Sequence, residues 1–224
     1  MKVSVVIPVY NEEKYIKNCL DSLMNQTEKP DEIIISNNNS TDRTIEIVKN
    51  YNVKIISEHF QGIGYARNAG FNSASGNIIA RCDADTLPSP DWIYKIKKAF
   101  TENINVIALS GPGSFYDYPY ANINTLFTKL LYFKLTRIAL GYYPLFGANM
   151  AIKKSVWNKV KDSVCTENIS LHEDMDLAIH INKYGKIQFN PSLIIKLSAR
   201  RFSYYLIEYP IRWFKTLRAK HNIV

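Results

Sequence analysis

Within about the first hundred residues, short β-branched runs and helix-period stretches take turns four times. This alternation restricts the fold more than any other feature of the chain. Lys2-Val-Ser-Val-Val-Ile7 is a strand-like run closed by Pro8, and Asn11 is placed to cap a helix with Glu12 and Glu13 in its first turn. Ile16, Cys19, Leu20, Leu23 and Met24 then fall on one helical face. Strands are predicted at Glu32–Ser36, Val53–Ser57 and Asn77–Cys82. Between and after them come helices from Ser40-Thr41-Asp42 through Val48, from Gly64 to Ser73, and from Ser89-Pro90-Asp91, where Pro suits the first helical position. The pattern is that of a mostly parallel, Rossmann-like α/β sheet covered by helices on both faces. Ligands of such sheets bind at the carboxyl ends of the strands.

The second half is less regular. Ile104–Ser110, Ala148–Ile152, Lys186–Phe189 and Leu193–Leu197 read as strands, and Asn122–Leu140, Ser155–Lys161, Glu173–Tyr184 and Ser203–Lys220 as helices. A length of 224 residues suits one generous domain. The net charge of +8 fits a nucleic acid, an anionic membrane or phosphorylated small molecules, and does not choose among them. Cys19, Cys82 and Cys165 are scattered, without metal-ligand spacing, as expected for a reducing, cytoplasmic setting. No secretory signal is expected at the start, and no uncharged apolar run is long enough to span a bilayer.

The residues able to carry chemistry cluster just after the predicted strands. In Pro8-Val-Tyr-Asn-Glu12 the aromatic Tyr10 can stack on a base and Glu12 can bind a ribose or base edge; the alternative is that Tyr10 is core and Glu12 only favours the helix dipole. Asn37-Asn-Asn39 is either a turn or an amide that reads a nucleobase. Asp83 and Asp85 flank Ala84 at the end of an apolar strand. Acids there are costly unless they bind something, and Mg²⁺ commonly takes one or two carboxylates plus substrate phosphate oxygens. Arg67, within Gly62–Gly70, can reach a phosphate or support those acids. The cluster His172-Glu-Asp-Met-Asp176 opens a helix, and Glu173 or Asp174 can supply the general base that sugar transfer to a hydroxyl needs. Arg200 and Arg201 precede a basic, aromatic helix that suits either a membrane surface or packing on its own domain.

Six strings in order resemble the family-2 glycosyltransferases: VSVVIPVYNEE, SNNNSTDRT, GIGYARNAG, ARCDADTLPSPDWI, GANMAIKKSVW and HEDMDLAIHINKYGKI. The resemblance implies a GT-A fold over residues 1–202. A nucleotide-binding half would run to about 110, an acceptor and catalytic half would cover about 111–202, and a basic aromatic helix would follow at 203–224. It implies inverting transfer of one sugar from a nucleotide-sugar, a UDP-sugar before a GDP-sugar, to a hydroxyl of a glycan or membrane-linked glycolipid. Carried onto this chain, Pro8, Tyr10, Glu12, Asn37, Arg67, Asp83, Ala84 and Asp85 bind the donor, with Asp83 near the ribose and Asp85 holding Mg²⁺ or Mn²⁺. Gly147 and Asn149 lie near the donor sugar and acceptor, Asp174 is the base, and Glu173 orients the acceptor. Arg200 and Arg201 are assigned to the diphosphate. Position 37 departs from the family, which usually has Asp there, so base identity is left open. Arg212-Trp213 matches part of a motif of processive synthases, but Tyr209 stands where its Gln would be, which argues against processivity. Residues 122–140 and 203–220 are the segments expected at a membrane surface, making the protein peripheral on its cytoplasmic side, and no nucleic-acid partner is expected. Two rivals stand beside this reading: a nucleotidyltransferase that makes the nucleotide-sugar, and a basic nucleotide- or nucleic-acid-binding module without catalysis.

Overall fold

The computed structural model describes residues 1–118, 128–166 and 170–219, and within them the side chains of all residues except 128–131, 201–207 and 209. Ten strands and eight α-helices are found among these residues. The first hundred residues follow the expected alternation: β1 (Val3–Val9), α1 (Ile16–Met24), β2 (Glu32–Asn37), α2 (Thr44–Val48), β3 (Lys54–Ser57), α3 (Ile63–Ser73), β4 (Ile78–Cys82) and α4 (Trp92–Glu102), with a short β5 (Thr86–Pro88) between the last two. The chain continues through β6 (Val106–Ser110) and β7 (Gly113–Phe115). A π-helical turn (Thr128–Leu135) leads into α5 (Thr136–Leu140), followed by β8 (Asn149–Lys153), α6 (Lys154–Val160), α7 (Glu173–Ile181), β9 (Lys186–Phe189), β10 (Ile195–Leu197) and α8 (Phe202–Arg218). Of the two segments expected at a membrane, residues 122–127 and 220 lie outside the described residues.

A seven-stranded sheet in the order β3-β2-β1-β4-β8-β6-β9 forms the centre. β8 runs antiparallel to both β4 and β6, and all other pairs are parallel. Alternation along the strands splits the core in two. Val3, Val5, Ile7 and Val9 of β1 pack with the apolar stripes of α1 and α4 on one face. Val6, with Ile34 and Ile79, packs against Phe71, Trp157 and Leu177 on the other. Gly70 lets α3 come down onto that second face, since a Cβ there would meet Val6 Cγ1 at 2.3 Å. A second, three-stranded sheet, β5-β10-β7, caps the carboxyl end of β4. Its two short strands β5 and β7 carry too few residues to show a period in the sequence.

Two local expectations are corrected. Asn11 does not cap α1, which starts at Ile16. Asn11 instead adopts φ +54 and its Oδ1 accepts the Thr41 N–H at 2.8 Å, so the loop after β1 is tied to the loop after β2. Pro8 does not end β1: the strand continues to Val9 opposite Asn37, and Pro is tolerated because the pairing with β4 has already ended at Val6. β1 lies between β2 and β4, so the order of strands reverses there. Such a reversal opens a crevice at the carboxyl ends.

Candidate active site

That crevice collects the loops singled out in the sequence. After β1, Tyr10 is exposed, Pro8 is buried within the strand, and Glu12 is buried with its backbone N–H donating to Thr44 Oγ1 at 2.7 Å. After β2, Asn37 is half-buried and its Oδ1 accepts the Ser40 N–H at 3.1 Å. Asn38 is structural. Its Nδ2 donates to Glu58 O and Phe60 O, and its Oδ1 accepts the Gly62 N–H, so the start of α3 is fixed against this loop. Of the three asparagines, Asn37 sits directly opposite Val9, one residue from Tyr10.

The tip of β4 is tightly built. The Asp83 carbonyl accepts the Thr86 hydroxyl at 2.6 Å and faces Cys19 Sγ at 3.5 Å, while Ala84 points into the core. This turn leaves the carboxylates of Asp83 and Asp85 on the crevice side. Arg200, just beyond β10, reaches Asp85 but not Asp83: its Nε donates to Asp85 Oδ2 at 2.8 Å and its NH2 to Glu12 Oε1 at 2.6 Å, with the guanidinium 4.4 Å above the Tyr15 ring. Burial works against the Arg200 charge, but the Glu12 hydrogen bond and the charge of Asp85 outweigh it and raise its pKa. The side chain of Arg201 lies outside the described ones.

The donor set fits a hard divalent cation held jointly with a substrate. Asp85 offers a carboxylate in the crevice, and among the described residues no group of three or more His, Cys, Asp or Glu makes a cage of its own. Mg²⁺ and its kin take such partial sites, completing their shell with phosphate oxygens.

A chain of buried charges joins β4 to α7. Arg67 on α3 is 0% exposed. Its NH1 donates to both the backbone oxygen and a carboxylate oxygen of Glu173, and its Nε to Asn68 Oδ1. The other carboxylate oxygen of Glu173 accepts from Arg81 NH1, and Arg81 NH2 donates to Asp83 Oδ1 at 3.2 Å. Burial would raise the Glu173 pKa, but the charges of Arg81 and Arg67 override it and hold the carboxyl below its ordinary range. Asp174, the next residue, is 8% exposed. Its Oδ2 accepts the Gly147 N–H at 2.9 Å and its Oδ1 the Met175 N–H at 2.8 Å. Burial, followed by the charge of Glu173, raises its pKa. Gly147 packs closely on Arg81: a Cβ there would lie 3.1 Å from Arg81 NH2, so any side chain would press on the guanidinium.

Three assignments change with this geometry. Asn149 does not face a sugar. It is 0% exposed, its Nδ2 donates to Pro112 O and Leu193 O, and its Oδ1 accepts the Trp92 Nε1–H, so it staples the two sheets to α4. Glu173 is engaged as an anchor for two buried arginines, each of its carboxylate oxygens accepting from one of them. Arg67 has no surface from which to touch a phosphate and acts through Glu173. Arg81, the link between the acids of β4 and the start of α7, was not singled out in the sequence; nor was Tyr15, on which Arg200 rests. The signal for Arg81 was its position, two residues before Asp83 in a strand otherwise apolar.

Comparison with known proteins identifies the family and the fold. The sequence model of the family described as "Glycosyl transferase family 2" matches residues 4–157. Glycosyltransferase GlyA of Streptococcus pneumoniae is 29% identical over 192 residues, covering 83% of this chain and 24% of that protein. A mannosyltransferase from Pyrobaculum calidifontis, solved with GDP-Man and Mn²⁺, superposes with a TM-score of 0.74 at 21% identity, over 98% of this chain and 65% of that one. TarS of S. aureus, solved with UDP-GlcNAc, gives a TM-score of 0.68 at 20% identity, over 89% of this chain and 59% of that one. The chain thus spans less than two thirds of the length of these relatives. The shared architecture is the GT-A fold.

Proposed function

The chain belongs to glycosyltransferase family 2, and from that footing we propose that it moves a single sugar, with inversion, from a nucleotide-sugar to a hydroxyl acceptor. The observation that carries the proposal is the Asp83–Arg81–Glu173 connection. It sets the acids at the tip of β4 beside Asp174 at the start of α7, within one crevice at the carboxyl end of the sheet.

In this reading Tyr10 and Asn37 take the base, and Glu12 and Asp83 line the ribose side of the donor. A UDP-sugar is favoured, with a GDP-sugar as the other option. Asp85 would hold Mg²⁺ or Mn²⁺ against the donor's diphosphate. When bound, that ion supplies neutralisation of the charge that builds on the leaving group. Arg200, already at Asp85, adds positive charge on the same side, with Arg201 next to it in sequence. Asp174 accepts the proton of the acceptor hydroxyl as its oxygen bonds to the anomeric carbon and the bond from that carbon to the diphosphate oxygen breaks. Attack from the face opposite the leaving group inverts the centre, and no covalent enzyme intermediate forms. The Gly147 N–H fixes the Asp174 carboxylate, so the base needs little reorganisation. Glu173 holds Arg81 and Arg67 in place behind it.

The acceptor is a glycan or a membrane-linked glycolipid. No helix among the described residues is long and apolar enough to cross a membrane, so the contact we propose is peripheral, on the cytoplasmic face, through parts of 122–140 and 203–220. Purified protein should release UDP or GDP from a nucleotide-sugar in the presence of Mn²⁺. Release of diphosphate from a sugar-1-phosphate and a nucleoside triphosphate would instead make it a nucleotidyltransferase.

A further inference from the structure

α5 and α8 lie side by side: Trp213 Nε1 on α8 donates to Thr136 Oγ1 on α5 at 3.0 Å. Among the described side chains of the two helices, Thr136 and Thr216 are the buried ones and face the body of the protein. The opposite sides carry large apolar groups in water. Ile138 is 80% exposed and Phe214 58%, and Leu135 and Ile211 are about half exposed (51% and 46%). Basic side chains stand among them, Lys134 in the π-helical turn, Arg137 on α5, and Lys215 and Arg218 on α8, all exposed. The charge is one-sided in sequence as well. Seven Lys or Arg and no acid lie between Asp117 and Asp162, and after Asp176 nine Lys or Arg face a single acid, Glu208. Isolated large apolar groups set in a cationic field match the boundary of an anionic bilayer. There the apolar groups enter the acyl region and the cations meet lipid phosphates.

A cleft of about 410 Å³ opens at the edge of this face, lined by Leu171, Phe214, Lys215 and Arg218 together with Ser170 and Ala219. It combines an apolar wall with two cations. Leu171 in its wall precedes His172, whose N–H donates to Thr216 Oγ1 at 2.9 Å, and Asp174 follows two residues later in sequence. We propose that the α5–α8 face rests on an anionic membrane and that this cleft receives the phosphate-bearing headgroup of a lipid-anchored acceptor, presenting its hydroxyl to Asp174. This inference rests on the glycosyl-transfer reading and narrows its acceptor to the lipid-linked class.

The test is flotation with vesicles of phosphatidylcholine carrying about 30% phosphatidylglycerol, at about 0.1 M salt, beside vesicles of phosphatidylcholine alone. The protein floats with the first and stays at the bottom with the second. Lys215→Glu with Arg218→Glu cuts partitioning at least about 25-fold, at about fivefold per charge removed. Ile138→Ser with Phe214→Ser, both at exposed positions that leave the core intact, cuts it about tenfold or more. Trp92 and Trp157 are fully buried, so quenching by vesicles with brominated acyl chains should report Trp213 and vanish in Trp213→Phe. A wild-type protein that does not float, variants that float as well as wild type, binding without quenching, or a dimer in solution abolished by Phe214→Ser would each overturn the proposal. UDP and GDP binding with Mn²⁺, measured on the same preparations, separates the two readings. Nucleotide binding without flotation sinks the membrane face alone, and flotation without nucleotide binding sinks the transfer reading on which the acceptor assignment rests.

Discussion

Replacing Glu173 with Gln removes the one carboxylate shared by two buried guanidiniums. Arg81 keeps Asp83 as an ionic partner at 3.2 Å, but Arg67 keeps only the Asn68 amide oxygen and the Glu173 backbone oxygen, and its NH2 already has no hydrogen-bond partner. An unpaired buried charge costs about 3–5 kcal/mol when one member of the pair is deleted. For a chain of this size that lowers Tm by roughly 6–20 °C. Thermal unfolding followed by far-UV circular dichroism at neutral pH measures it. The double variant Arg67→Met with Glu173→Gln removes the orphaned charge along with its partner, and should recover at least half of the loss. The Glu173 pKa is lowered in the folded protein, so its contribution is complete above the ordinary carboxyl value and is lost as pH falls through the folded one. The gap between wild type and Glu173→Gln should therefore shrink below about pH 4.5. A Tm shift under about 2 °C, or a double variant no better than the single, would refute the claim that Glu173 is held there by its arginines.

Asp174→Asn should retain nucleotide binding and lose at least about a hundredfold in kcat, the usual share of a general base. Because its pKa is raised, the acid limb of kcat/KM should lie above the ordinary aspartate value of about 3.9; a limb at or below that value removes Asp174 as the base. Asn149→Ala orphans Trp92 Nε1 and two carbonyls and should cost about 3 kcal/mol or more in denaturant unfolding, while donor KM in the folded fraction stays put; a raised KM with unchanged stability would return Asn149 to the sugar site. Arg200→Gln removes one cationic partner from Asp85 and Glu12, so Mn²⁺ alone should bind more tightly in calorimetry while donor KM rises about tenfold; unchanged Mn²⁺ affinity would mean that Arg200 does not compete at Asp85.

The sheet was legible because each strand of its first half is a short β-branched run, and because each following helix shows its own period. The positions of Asp83 and Asp85 followed from that order, since the carboxyl ends of parallel strands lie along one edge of the sheet, while Asp174 followed from the acidic cluster that opens its helix and from the family motif. Side-chain direction did not follow. Asn149 stands in a motif that pointed to the donor sugar, yet its register opposite Cys82 turns the amide between the two sheets. Asn11 looked like a helix cap because its local neighbours suit one, and the contact with Thr41, thirty residues on, decides otherwise. The Arg67–Glu173 pair spans 106 residues and joins α3 to α7 across the second core. No local pattern encodes such a pairing, and only the packed sheet brings its ends together.

The account depends on Asp85 joining a divalent ion to the donor's diphosphate, and calorimetric titration of UDP and, in parallel, GDP tests this directly. Binding to the wild type should require Mn²⁺, and Asp85→Asn should weaken it at least about tenfold while leaving Tm nearly unchanged. Equal affinity with and without Mn²⁺, or no loss in Asp85→Asn, would contradict it.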